Sequence, residues 1–278
     1  MPKIHPMAVV EAGAELAGDV EVGPFAYIGP RVQLGPGCRV MHHASIEGNT
    51  IAGERNVFFP FSSCGLVSQD LKYRGGDCRL LIGDDNVIRE HATLHIGTEA
   101  GGGMTRVGNG NLLMVGAHVA HDCIIYNRCI LANNVLLAGH VEVQDGAVIS
   151  GAAALHHFVT VGKLAFIGGI SAVVHDIPPF MIADGNKAIV RGLNRTGLRR
   201  LGYSEQQLEP LRIAWRMLYK QEEPVAVQAP RLAALFPDNP DIKYLLAFIE
   251  LSAKGKYGRY RESLRGAFEN GDDEAATA

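Results

Sequence analysis

The sequence predicts a mainly β chain, a parallel β-helix of hexapeptide repeats over residues 1–186 followed by an α-helical domain over 187–278. Three observations carry this. An aliphatic residue recurs every sixth position along most of the chain, a column of small residues runs two positions before it, and after Val173 the rhythm gives way to proline-marked, helix-capped segments. A period of six fits neither a helix nor a simple hairpin. It marks a solenoid in which three hexads make one triangular coil.

The series starts at Ile4 and runs through Val10, Leu16, Val22, Ile28, Leu34, Val40 and Ile46. It slips by one residue to Ile51 and Val57, returns at Ile82, Ile88 and Leu94, and then continues unbroken from Val107 to Val173. The small column includes Ala8, Ala14, Ala26, Cys38 and Ala44 early, and Ala117, Cys123, Cys129, Ala147 and Ala153 late. Residues i and i−2 of a strand point to one side, so both columns face the interior. Coils that begin at Ile4 leave no amino-terminal domain ahead of them. Two insertions break the rhythm, Cys64 to Leu80 and His95 to Arg106. Loops ejected from a rigid scaffold commonly carry function.

The segment His175-Asp176-Ile177-Pro178-Pro179 should stop strand formation, since proline has no ladder donor. From about Lys187 the pattern turns helical. Ser204 and Gln207 form a capping box ahead of Leu208, Leu211, Trp215 and Leu218, with Pro210 in the second turn. Asn239-Pro240 starts another helix, which Gly255 can close. Gly271 to Ala278 reads as a disordered tail.

Composition narrows the function. The net charge of −3 argues against a nucleic-acid partner. No run of about 18 apolar residues is present, so no membrane span is expected. Met1 to Gly13 lack the basic and then apolar run of a signal peptide. Cys38, Cys123 and Cys129 occupy the interior column as packing residues, which fits a reducing cytoplasm. Between Lys187 and Lys220 the chain is locally basic, with Arg191, Arg195, Arg199, Arg200, Arg212 and Arg216 opposed by Glu205 and Glu209. This is a candidate docking patch for a nucleotide diphosphate or an acidic carrier protein.

Histidines concentrate at His118, His121, His140, His156 and His157. Residues one coil apart stack about 4.8 Å from each other. His121, Gly139 and His157 therefore form one column, and Asp122, His140 and Phe158 its neighbour. Histidine is the natural general base near neutral pH. An adjacent carboxylate fixes its tautomer, and a glycine amide can donate to a developing oxyanion. These are the parts needed for acyl transfer from a thioester to an alcohol. No Ser or Cys nucleophile stands beside the base, which favours direct transfer over a covalent acyl-enzyme. A metal site held by His118 and His121 is the rival reading, but that spacing on a strand sends the two rings to opposite sides.

These motifs are together specific. Gln69-Asp70-Leu71-Lys72-Tyr73, Gly101-Gly102-Gly103, Ala117-His118-Val119-Ala120-His121-Asp122, the run Asn127 to Asn134, Leu137-Ala138-Gly139-His140-Val141 and Gly185-Asn186 resemble the acyl-carrier-protein–UDP-N-acetylglucosamine O-acyltransferases. The resemblance covers nearly the whole chain. It implies a left-handed β-helix and a cytoplasmic homotrimer with active sites between subunits, an arrangement that the apolar outer faces also suit. It implies transfer of an (R)-3-hydroxyacyl group from acyl carrier protein to the sugar 3-hydroxyl, the first step of lipid A synthesis. No cofactor or metal is expected, because the acyl group arrives on the carrier's phosphopantetheine.

Residue by residue, the resemblance makes His121 the general base, Asp122 its orienting carboxylate and Gly139 the oxyanion donor. It makes Asp70, Lys72, His95, His118 and His140 substrate contacts. Gln69, His156, Asn194 and Arg200 match further contacts to sugar nucleotide or phosphopantetheine, His157 stands at another substrate-binding position, and Gly169 matches a position that gauges acyl length. Gly169 lies at the hexad position of His121 but on a different face, so it can line a cleft shared with a neighbouring subunit. As a glycine it leaves the groove open for a long donor. Three positions depart from the pattern: Thr196 stands for a glutamate, Leu201 for a second arginine and His157 for a glutamine. Alternatives in view are N-acylation of a UDP 3-amino sugar, an acetyl-CoA-dependent sugar acetyltransferase, and an inactive sugar-nucleotide-binding solenoid.

Overall fold

The computed structural model describes residues 1–266 of the 278. The tail expected from Gly271 onward lies outside the described residues. From Lys3 to Val173 the chain winds as short strands, most of them two residues long, that form three parallel sheets of a triangular prism. Successive coils pair in register, as where His118 faces Leu136 and Val119 faces Leu137. The large column fills the prism axis: Ile28, Ile46, Ile88, Leu94, Leu113, Leu131 and Ile149 are fully buried.

The expected slip after Ile46 does not occur. Ala52 pairs with Leu34 and Phe58 with Val40, and Ala52, Phe58 and Cys64 are buried in the large column. Ile51 and Val57 lie one position earlier and point outward, half-buried. Alanine in a large slot is balanced by phenylalanine in the next one, so volume rather than residue class is kept. The small column is correspondingly polar here. Thr50, Asn56, Ser62, Asn86, Thr105 and Asn111 are buried. Each needs internal partners, since a buried polar group without them is strongly unfavourable. Asn56, Asn86 and Asn111 supply them to one another: Asn86 Nδ2 donates to Asn56 Oδ1 at 3.0 Å, and Asn111 Nδ2 donates to Asn86 Oδ1 at 2.9 Å. The Cys129 N–H closes the ladder on Asn111 Oδ1 at 2.7 Å.

Both insertions leave the stack between intact strands. Ser63–Leu66 and Arg79–Ile82 flank the first, and Thr93–His95 and Met104–Val107 the second. The looped portions are therefore 67–78 and 96–103, shorter than the sequence rhythm suggested. All five cysteines are buried and free.

The helical reading from Lys187 needs correction. Met181–Asp184 still adds to the solenoid, parallel to Phe166–Ile167, and Ile189–Leu193 returns antiparallel along it. Helices start only after this hairpin: α1 (Arg195–Arg200), α2 (Glu205–Tyr219), α3 (Val225–Leu235) and α4 (Pro240–Lys254). The Ser204–Gln207 capping box forms at α2, Pro210 is accommodated inside it, and Asn239 caps α4 with Pro240 at its start and Gly255 at its end. Leu198, Leu211, Ala214, Leu232, Ile242 and Leu245 make a second core over Phe180 and Met181, so the helices cover one end of the prism. Among the described residues no helix is long and apolar enough to cross a membrane.

Candidate active site

The site sits at one corner of the prism, between the sheet carrying His118–Val119 and that carrying Ile124–Ile125. The corner residues Asp122, His140 and Phe158 have φ of 59°, 63° and 64°. Side-chain-bearing residues seldom adopt this left-handed region. Here it turns each corner side chain back toward the residue before it. Consecutive residues thereby meet, and His121 Nδ1 lies 2.7 Å from Asp122 Oδ2.

Asp122 is buried. Its carboxylate accepts the Thr98 N–H at 2.9 Å and the Thr98 hydroxyl at 2.6 Å. Its own N–H donates to Thr105 Oγ1 at 2.8 Å. The second insertion provides this clamp and needs glycine to come so close. A Cβ at Gly101 would overlap the Asp122 carboxylate, and one at Gly97 would lie 2.7 Å from Oδ1. An acceptor-only carboxylate makes His121 Nδ1 the donor, which leaves Nε2 to the cleft as a base. Asp70 Oδ2 is 3.8 Å from Nε2, beyond hydrogen-bond range. Its loop is held by the Asp70 N–H on Ser68 Oγ and the Lys72 N–H on Asp70 Oδ1.

The cleft has a volume of about 270 Å³. His121, Gly139, His140 and Phe158 line it together with Asp70 and Lys72 of the first loop, Thr98 and Ala100 of the second, and His157 and Arg265. His140 stacks on Phe158 with ring centres 4.2 Å apart and stands edge-on to His121 at 5.2 Å. Burial pushes its pKa down to about 3, so it is a neutral wall. Burial likewise takes His157 to about 4. No group among the described residues accepts the Gly139 N–H.

The other predicted residues fall outside this lining. His118 and His95 lie on the adjoining sheet, edge-to-face at 5.0 Å. His118 Nδ1 is 2.7 Å from Thr93 Oγ1, and burial lowers its pKa. Burial takes His95 to about 4, and its Nδ1 is buried with no partner among the described residues. Gln69 is exposed, and the His156 ring lies tilted against His157 with ring centres 3.8 Å apart. Asn194 caps α1 through Gly197 N and holds Leu164 O, so both ends of its amide are engaged. Arg200 is exposed in α1. Gly169 is exposed at a different corner from His121. In the basic arm, Arg191, Arg199 and Arg212 pair with Asp184, Glu205 and Glu209. Thr98, Thr105 and Arg265 were not anticipated. Thr98 lies 24 positions from Asp122 across an irregular loop, so only the nearby glycines hinted at a close approach.

Metal ligation is geometrically open to His121, Asp122 and His140, whose ligand atoms lie within 4.8 Å of one another. The bonding argues otherwise. Asp122 Oδ2 already takes the Thr98 hydroxyl and His121, and His121 Nδ1 is spent as its donor.

Solved structures match along nearly the whole chain. LpxA from Acinetobacter baumannii is 38% identical, with a TM-score of 0.84, 87% of this chain covered and 95% of that one. The UDP-N-acetylglucosamine acyltransferase LpxA from Bacteroides fragilis gives 38%, 0.86, 89% and 96%. This chain belongs to the UDP-N-acetylglucosamine acyltransferase family. The Arabidopsis UDP-N-acetylglucosamine acyltransferase agrees at 34% identity and a TM-score of 0.79, over 92% of this chain and 98% of that one. Residues 176–257 match the family model described as UDP N-acetylglucosamine O-acyltransferase, domain 2. The solenoid is thus the left-handed parallel β-helix of these acyltransferases, and the chain is an acyltransferase.

Proposed function

We propose that the chain transfers an (R)-3-hydroxyacyl group from acyl carrier protein to the 3-hydroxyl of UDP-N-acetylglucosamine. The observation that carries the mechanism is the Thr98–Asp122–His121 chain of hydrogen bonds ending in the cleft. His121 Nε2 takes the proton of the sugar hydroxyl as that oxygen attacks the thioester carbonyl. Negative charge moves to the carbonyl oxygen, which the Gly139 N–H receives. The carbon–sulfur bond then breaks, and the imidazolium returns its proton to the leaving phosphopantetheine sulfur. Asp122 remains ionised throughout and stabilises the imidazolium. General-base assistance of this kind contributes roughly 10² to 10⁴ in rate.

Neutral His140 and His157 suit a cleft that must hold sugar and acyl chain without competing for the proton. Asp70 and Lys72 bind the acceptor from the first loop. Gln69, His95, His118, His156, Asn194 and Arg200 act from outside the lining of a single chain, at the junction of a cytoplasmic homotrimer. Gly169 of a neighbouring copy sets the acyl length.

The test is mass spectrometry of the product formed by purified protein from UDP-N-acetylglucosamine and a mixture of acyl carrier proteins and acetyl-CoA. An O-linked 3-hydroxyacyl product is expected. Product only from acetyl-CoA, or only when a UDP 3-amino sugar replaces the acceptor, would overturn the proposal.

A further inference from the structure

The segment after α4 turns back along the solenoid toward the cleft. The Asp176 N–H donates to Gly258 O and the Tyr260 N–H to Asp176 Oδ2, both at 2.8 Å. Arg259 Nη1 donates to Val174 O at 2.8 Å. Arg261 Nε donates to His140 O at 3.1 Å, and its Nη1 to Glu142 at 3.1 Å. These anchors deliver Arg265 to the cleft, with its guanidinium carbon 4.8 Å from the centre of the Phe158 ring that stacks on His140.

Among the described residues, Arg259 and Arg265 have a single acidic partner between them. The buried Glu262 carboxylate is shared by Arg259 at 3.2 Å and Arg265 at 2.8 Å. Arg261 is matched separately by Glu142. His157, 3.7 Å from Glu262, adds no charge near neutral pH. Two guanidiniums thus share one carboxylate, and one of the two lines the cleft, as Lys72 does. A partly desolvated cation with half a counter-ion is stabilised by an incoming anion. A guanidinium that presents several donors in a plane suits phosphate oxygens in particular.

We infer that Arg265 contacts substrate in this cleft, its guanidinium receiving a phosphate oxygen of one of the two reactants. This rests on the proposed function, in which both reactants carry such groups: a diphosphate on the nucleotide sugar and a phosphodiester on the phosphopantetheine arm. Glu262 holds the guanidinium in place, and Phe158 carries it by cation–π contact.

The test compares the full-length wild type with Arg265→Ala, Arg265→Gln and Arg265→Lys. KM is measured for each substrate in turn, and binding of UDP-N-acetylglucosamine and of free 4′-phosphopantetheine is measured by calorimetry. Arg265→Ala should raise the KM and Kd of one reactant by roughly tenfold or more. The other reactant should stay within about twofold, and the salt dependence of the weakened one should diminish. Arg265→Lys should recover part of the loss. A rise for the nucleotide assigns the diphosphate; a rise for the carrier and for phosphopantetheine assigns the phosphodiester. Unchanged KM and Kd for both, or a fall in kcat alone, overturns the inference. If alanine loosens the segment and lowers the melting temperature, the glutamine variant decides on the same readouts. Calorimetry needs no turnover, so a wild type that binds phosphate ligands through Arg265 yet transfers nothing to UDP-N-acetylglucosamine would sink the proposed reaction and leave this site standing.

Discussion

Gly139→Ala tests whether the position of His121 controls the rate. Gly139 lies beneath the imidazole, and its φ is outside the left-handed region, so alanine adds no backbone strain. The added methyl would overlap His121 Cε1 and lie 2.5 Å from Nε2 and 3.1 Å from Nδ1. Ordinary contact begins near 3.4 Å, so the ring must retreat by roughly 1 Å. Such a movement strains the 2.7 Å bond to Asp122 and takes Nε2 off the line to its substrate. A displacement of about 1 Å costs on the order of 10² in rate. The ring has the open cleft to move into, so the stability loss should stay near the low end of overpacking, about 1 kcal/mol.

The assay is initial rate with saturating substrates, alongside thermal melting, for Gly139→Ala, His121→Ala and the double variant. Alanine keeps the backbone N–H, so the oxyanion donor is unaltered. If the effect acts through the ring, removing the ring should abolish it, and the double variant should be no slower than His121→Ala. Turnover of Gly139→Ala within about twofold of wild type would refute the reasoning. Losses that multiply in the double variant would show that Gly139 acts by another route.

Asp122→Asn should lower kcat by about 10² to 10⁴ while substrate KM changes little, because the amide no longer fixes the His121 tautomer; equal loss in kcat and gain in KM would point to a binding role instead. His95, His140 and His157 are held near pKa 4, 3 and 4 against 6.5 in the unfolded chain, so their contribution to stability is complete above about pH 6.5 and is lost as pH falls toward 4. The melting temperature should fall over that window, and less steeply in His140→Asn; identical slopes would remove His140 from the account. Asn86→Ala should destabilise by about 2–4 kcal/mol in urea unfolding, since it strands the Asn111 N–H and the Asn111 side-chain amide, both of which donate to Asn86 Oδ1 inside the prism. Gly169→Met should shift donor preference toward shorter acyl chains, and an unchanged length profile in an active protein would place the gauge elsewhere.

What the sequence made legible was whatever repeats. Every coil uses the same geometry, so Ile28 and Leu131 could be placed by counting. Counting failed where the column kept volume but changed residue type: Ala52 and Phe58 hide one position after the more obvious Ile51 and Val57. The polar interior of Asn56, Asn86 and Asn111 hid the register further, because side chains that satisfy one another look like outward-facing residues in a sequence. The histidine and aspartate columns at the corner were legible for the same reason as the core. Thr98 and Arg265 were not, because each reaches the corner from a segment without the six-residue period.

The corner itself explains why a solenoid can carry this chemistry. In a strand, His121 and Asp122 would point to opposite sides. At a left-handed corner they converge, and a single dipeptide makes the base–carboxylate pair that other folds assemble from distant segments. The carboxylate would still be free to swing into water were it not for the glycine-permitted loop over it, with Thr98 donating twice. The repeat thus supplies the pair, and the insertion fixes it in one orientation. If so, Thr98→Val, which keeps the side-chain shape and the backbone donor, should lower kcat by roughly tenfold with the coil intact. A Thr98→Val enzyme with wild-type kcat would mean that the corner alone is sufficient.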